Sequence, residues 1–163
     1  MKIAEIKAKL AEIEKTCPPE FRSFTHTYWI ITKNVDAKIG TDFFENDAAI
    51  EKLDNVLFEF FETALADPIP AWRQLKPWKG SLINLWLGAN AHVNYDLPRV
   101  LLQSRVAKVD YDKVDGIIEQ SIPEILGDQF PHLPFTGFAT WVTNRTMRRW
   151  RARAWQLAHT AVK

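Results

Sequence analysis

The sequence predicts an all-α protein, a single-domain bundle of five to seven helices around a central buried helix. Three observations carry this. Apolar residues recur at three- and four-residue steps through long segments. The breaks between those segments are short and built on proline and glycine. Short alternating β-branched runs separated by turn dipeptides, the mark of strands, are nearly absent. A length of 163 residues suits one domain, 1–163. Such a chain can bury roughly two-thirds of its unfolded surface.

The elements follow in order. Residues 1–15 interleave charges with Ile3, Ile6, Leu10 and Ile13. That is an amphipathic N-terminal helix and lacks the apolar stretch of a signal peptide. Cys17-Pro18-Pro19 breaks it, and Pro19 suits the first turn of the next helix. Phe21, Phe24, Tyr28, Ile31 and Val35 line one face of this second helix, which Gly40 ends. The third helix covers 46–66, with Asp47 as its N-cap and a stripe of Ile50, Leu53, Leu57, Phe60, Phe61 and Ala64. Asp67-Pro68-Ile69-Pro70 stops it, and a short helical piece covers 71–75. The fourth helix starts near Ser81. The fifth runs from Asp110, read as its cap, to Leu126. Residues 130–137, with Pro131, Pro134 and Gly137, form a loop. The last helix, 138–162, carries Trp141, Met147, Trp150, Ala154 and Leu157 along one face.

Composition narrows the function. Lys and Arg number 21 against 20 Asp and Glu, a formal charge of +1, which gives no basis for a nucleic-acid or membrane partner. No run of about 18 apolar residues exists to cross a bilayer. The single Cys17 excludes an internal disulfide and fits a reducing cytoplasm. It has no local histidine and is not read as a nucleophile. Seven Trp and ten Phe supply walls for an apolar pocket, pointing to an apolar or aromatic small molecule as ligand. Phosphate loops, nucleophile elbows, His-Glu-x-x-His and paired cysteines are all missing.

The fourth helix carries the most informative segment, Leu87-Gly-Ala-Asn-Ala-His-Val-Asn-Tyr-Asp-Leu-Pro98. This helix is apolar nearly all round, as a surrounded element is. Buried polar groups cost free energy unless partnered. His92 and Asp96 are four residues apart and can touch. A carboxylate that fixes an imidazole's tautomer makes it a better general base. The same two side chains can serve as metal ligands, with His26, Asp54 or Asp47 completing the set. Asn90 and Asn94 fall on an otherwise aliphatic face, placed to hydrogen-bond a carbonyl or hydroxyl. Pro98 cannot donate to the carbonyl of Asn94 and frees it. Gly88 leaves room for a ligand or a neighbouring helix.

Other polar residues sit in apolar settings. Tyr28 and Thr32 extend the Phe24 face, and Asp54 borders the third helix's stripe. Arg145, Arg148, Arg149 and Arg153 read as a solvated face. Arg151 borders the buried stripe beside Met147, one turn before Trp155, where it can pair with Asp96 or Asp54 or receive an anionic substrate.

With these residues in view, the chain resembles a mainly bacterial helical family of unknown function with a Gly-x-Asn-Ala-His-x-Asn-x-Asp-Leu signature. It matches as Gly88-Ala-Asn90-Ala-His92-Val-Asn94-Tyr-Asp96-Leu97. Phe24-x-x-x-Tyr28-x-x-x-Thr32, Leu53-Asp54 with Phe58, and Arg151-x-x-Ala154-Trp155 are similar to its weaker patterns. The resemblance implies a shared fold and site but no reaction. It gathers Tyr28, Asp54, His92, Asp96 and Arg151 into one constellation and leaves His26 outside.

The expectation is a small cytoplasmic helical enzyme, cyclase, isomerase or hydrolase in type, with no organic cofactor. His92 acts as acid and base oriented by Asp96, and Arg151 balances charge. Asn90, Asn94, Tyr28, Asp54 and Trp155 hold the substrate. The alternatives are a non-catalytic protein that binds a hydrophobic metabolite, a metal-dependent hydrolase or oxidase with His92 and Asp96 as ligands, and a structural bundle whose polar groups satisfy one another.

Overall fold

Each amphipathic segment becomes a helix in the computed structural model, which describes residues 1–160. α1 spans Ile3–Thr16 and buries Ile3, Ile6 and Leu10. α2 spans Pro19–Asp36, with Pro19 at its first position, where a missing N–H costs nothing. α3 spans Asp47–Ala66. Two single 3₁₀ turns, Trp72–Gln74 and Pro77–Lys79, lead to the middle of the chain. There α4 (Ser81–Ala91), a π turn (His92–Asp96) and α5 (Leu97–Ser104) continue as one rod. α6 spans Lys108–Gln129 and α7 Thr136–Thr160. Among the described residues there is no strand, and no helix is long and apolar enough to cross a membrane.

Several helix ends depart from the sequence reading, each for a tertiary reason. Asn46 caps α3, its Oδ1 accepting from the Ala49 N–H at 3.1 Å. Asp47 instead accepts from the Gly40 N–H at 2.8 Å. Asp110 is not a cap, because α6 has already begun at Lys108. Its carboxylate, 0% exposed, accepts from the backbone N–H groups of Glu45 at 2.8 Å and Asn46 at 3.0 Å. A side chain on α6 thereby fastens the loop that starts α3. α2 stops at Asp36, before Gly40, whose φ of 77° belongs to the following turns. α6 runs on through Pro123 to Gln129. The expected end of the last helix at Val162 lies outside the described residues.

One core cluster draws side chains from α1 through α7. α2 packs against α1, α4 and α6, and α7 packs against α5, α6 and the π turn. The rod is thus held by α2 at its α4 end and by α3 and α7 at its α5 end. One strip of it reaches solvent at Ile83, Tyr95 and Leu102. α4 and α2 approach closely at Gly88. A Cβ there would lie 2.8 Å from Cβ and Cγ of Phe24, so the space glycine leaves goes to the neighbouring helix.

The π turn has a local cause in Pro98, which sits in the first turn of α5 and has no N–H to give. The wider turn just before it, closed by the Leu97 N–H on the His92 carbonyl, lets the rod continue through the missing bond. Such turns recur at functional sites, and this one holds His92 and Asp96.

Candidate functional site

A largely enclosed cavity of about 80 Å³ lies against the π turn. α2 contributes Phe24, Thr27, Tyr28, Ile31 and Val35 to its wall, and α3 contributes Ile50, Leu53, Asp54 and Leu57. Ala89, His92, Val93 and Leu97 come from the rod, Val114 and Ile118 from α6, and Met147 and Arg151 from α7. The wall is aliphatic and aromatic apart from Thr27, Tyr28, Asp54, His92 and Arg151.

Tyr28 and Asp54 form the first polar unit. The Tyr28 hydroxyl donates to Asp54 Oδ1 at 3.2 Å and lies 3.3 Å from the Asp54 carbonyl. Asp54 is half-buried as a residue, yet its Oδ2 is fully buried with no hydrogen-bond partner. Burial pushes its carboxyl from 3.8 up to about 7, the Tyr28 bond opposes the rise and the charge of Asp36 adds to it. Burial, then the neighbouring Asp54, raise the Tyr28 hydroxyl well above its ordinary value, so it stays a neutral donor.

His92 stands against aromatic rings. Its ring centroid is 5.0 Å from Tyr28, 5.2 Å from Phe24 and 6.3 Å from Trp72. Its side chain is 12% exposed, and Nδ1 is buried without a hydrogen-bond partner. Asp96 does not orient it as the sequence suggested. The closest approach, Nδ1 to Oδ2, is 3.7 Å, too long for a hydrogen bond. That same oxygen accepts from the Trp72 indole N–H at 3.0 Å. Trp72 lies 24 residues away on a 3₁₀ turn, where helical spacing cannot point to it.

Arg151 is 6% exposed and pairs with neither Asp96 nor Asp54. Its Nε donates to Asp115 of α6, its guanidinium lies 4.5 Å over the Tyr111 ring, and the Tyr111 hydroxyl donates to its carbonyl at 2.9 Å. Nη2 is buried with no partner. Asp115 was invisible to a sequence reading because nothing in its surroundings distinguishes it from the other acidic residues of α6.

Four expected site residues stand apart from the cavity: Asp96, Asn90, Asn94 and Trp155. Asn94 donates to Asn90 Oδ1 at 2.9 Å, and both are half-buried outside the wall. The face that looks uniform in sequence is buried at Leu97 and Leu101 but exposed at Ile83, and the two half-buried asparagines satisfy each other. Trp155 packs on Tyr111 at 4.9 Å and His159 at 4.1 Å, also outside the wall. The buried asparagine of the rod is Asn84, which donates to the Lys76 carbonyl at 2.8 Å and accepts from its N–H at 3.1 Å. The residues named as further metal ligands are dispersed. His26 bridges Glu14 at 2.8 Å and Asp128 at 2.7 Å, and Asp47 serves Gly40. Among the described residues, no three His, Cys, Asp or Glu side chains converge as a metal site.

Seven buried side-chain polar atoms lack a hydrogen-bond partner among the described residues. Three of them, Asp54 Oδ2, His92 Nδ1 and Arg151 Nη2, belong to the wall of this one cavity. Native proteins leave few such atoms, so their concentration here marks the cavity out. Chemically the cavity offers a carboxyl that titrates near neutrality, an imidazole and a guanidinium, set in apolar surroundings.

Residues 3–163 match the Family of unknown function (DUF5995), and the chain belongs to that family. No curated protein and no solved structure matches it.

Proposed function

We propose that this chain is a small-molecule enzyme that works by acid–base catalysis in the cavity between α2, α3, α6, α7 and the π turn. One observation carries the reading: three side chains of different acid–base character, each with a buried polar atom that has no partner, line a single, mostly apolar cavity. A structural bundle would pair them with one another, and it pairs Asn90 with Asn94 in that way.

Asp54 is the principal proton carrier in this proposal. A carboxyl titrating at about 7 both takes and gives a proton near neutral pH, which is what efficient proton transfer needs. Tyr28 holds one of its oxygens and leaves the other for the substrate. His92 is the second acid–base group, and Asp96 with Trp72 supports the π turn that positions it. A cavity of about 80 Å³ exceeds several-fold the roughly 10–15 Å³ that one water requires, and its wall is mostly apolar. The substrate is therefore small and mainly apolar. Proton transfer of this kind, as in an isomerase, needs no organic cofactor. The free thiol of Cys17 supports a cytoplasmic location.

The test is a screen of small aliphatic alcohols, ketones and esters in deuterated water, read by NMR for turnover or for deuterium incorporation. Asp54→Asn and His92→Ala are each expected to slow the active compound by about 10²–10⁴-fold, while ligand-induced melting shifts persist. Turnover unchanged in both variants would sink the proposal. The small, largely closed cavity also favours a second reading, binding without catalysis. Melting shifts with no turnover of any compound would select that one.

A further inference from the structure

The guanidinium of Arg151 is engaged through Nε, which serves Asp115, and through its face, which stacks on Tyr111, and leaves Nη2 buried without an acceptor. A buried donor left this way costs free energy until an acceptor arrives. The protein supplies none: Asp54 Oδ2 and His92 Nδ1, the unpartnered atoms of other wall residues, lie beyond hydrogen-bond reach of Nη2, and the remaining polar groups are engaged elsewhere. The Thr27 hydroxyl accepts from Gln129 at 2.8 Å, and Tyr28 donates to Asp54. The acceptor must come from the ligand.

Charge decides what kind of acceptor it is. Arginine usually receives an anion, but Asp115 already balances Arg151. Asp54 adds further negative charge whenever it is ionised. A second anion in this apolar hole would be desolvated without a counter-charge, which is expensive. A neutral carbonyl accepts the same N–H and brings no charge with it. Building on the acid–base reading above, we infer that the ligand is a small uncharged carbonyl compound, a ketone, aldehyde or ester, whose oxygen accepts from Arg151 Nη2. Its aliphatic remainder fills the rest of the cavity. In that pose Arg151 stabilises charge developing on the carbonyl oxygen. A proton leaves the neighbouring carbon for the Asp54 carboxylate, and the electron pair moves onto oxygen. Return of a proton to carbon completes an isomerisation with no oxidant or co-reactant.

The experiment titrates the full chain with cyclopentanone, butyrate and cyclopentane, molecules of similar size. Methyl NMR signals of Val93 and Met147, both in the wall, and the melting temperature report binding. Cyclopentanone is expected to bind about tenfold or more tightly than either of the others. Asp115→Asn removes the charge that opposes an anion, so butyrate is expected to gain about tenfold and overtake cyclopentanone. If that variant does not fold, the wild-type ranking alone decides. Butyrate ahead of cyclopentanone in the wild type, or cyclopentane equal to it, overturns the carbonyl assignment and leaves the small-molecule cavity standing. No response to any of the three removes both.

Discussion

Asp110 and Asp54 are both carboxylates in an apolar interior, and the protein treats them in opposite ways. Asp110 is sealed from solvent with both oxygens in use, one on the Glu45 N–H and one on the Asn46 N–H, and Lys113 stands 3.6 Å away. Asp54 has one oxygen on Tyr28 and the other on nothing. Asp110 sits where the loop before α3 meets α6, away from the cavity, whereas Asp54 sits in its wall. Burial alone is thus a poor signal of function. An unfinished set of hydrogen bonds, kept beside an open volume, is a better one.

The comparison breaks most directly at Asp110. Asp110→Ala is expected to destabilise the fold by about 2–4 kcal/mol, because two backbone N–H groups lose a charged acceptor. Urea or thermal unfolding measures this, and ligand binding at the cavity should survive in whatever fraction remains folded. A loss below about 1 kcal/mol would mean the latch is not structural.

Asp54 should respond with the opposite sign. The folded chain keeps the Asp54 proton up to about 7, while an unfolded chain releases it near 3.8. Between those values the folded state binds more protons, so this residue's contribution to stability falls as pH rises, then levels off above about 7. Asp54→Asn cannot ionise. It is expected to be about 1–3 kcal/mol more stable than the wild type at pH 8, relative to the difference between them at pH 4. Paired melting curves across that range check it. A parallel pair of curves would show that Asp54 is not held near neutrality, and its assigned role would go with it.

Gly88 sharpens the structural half of the contrast. Alanine favours the helix by up to about 1 kcal/mol, but its Cβ would collide with Phe24 at 2.8 Å. Overpacking of this kind costs about 1–3 kcal/mol, so Gly88→Ala is expected to lose about 1–2 kcal/mol net. A matching loss of ligand response would follow, since Phe24 also lines the cavity.

How much of this was legible in sequence follows the range of the forces involved. Three- and four-residue periodicity is local, and it located every long helix. Helix ends were less accessible, because Asn46 and Asp110 meet across 64 residues and Asp110 looked like an ordinary cap. In the site, Tyr28, Asp54, His92 and Arg151 stood out as polar residues among apolar neighbours, and they do line one cavity. Their partners did not stand out. Spacing said that His92 and Asp96 can touch, and they approach to 3.7 Å, but the hydrogen bond to that carboxylate oxygen comes from the Trp72 indole. Asn90 and Asn94 looked equally deep, but a regular helical projection takes no account of the π turn, and depth changes along that face from the exposed Ile83 to the buried Leu97 and Leu101.

His92→Phe is the smallest and most diagnostic change. Phenylalanine matches the ring's shape and keeps its contacts with Phe24, Tyr28 and Trp72. It also removes Nδ1, which has no partner to lose. A structural histidine in a satisfied network would cost about 1–3 kcal/mol to replace in this way. Here the change in stability is expected to stay within about 1 kcal/mol of zero and can be favourable, while turnover of any substrate found falls to background. Retained stability with lost chemistry places His92 beside Asp54, among residues kept for something other than the fold. A costly substitution would move it to the side of Asp110, with its polarity already spent on holding the chain together.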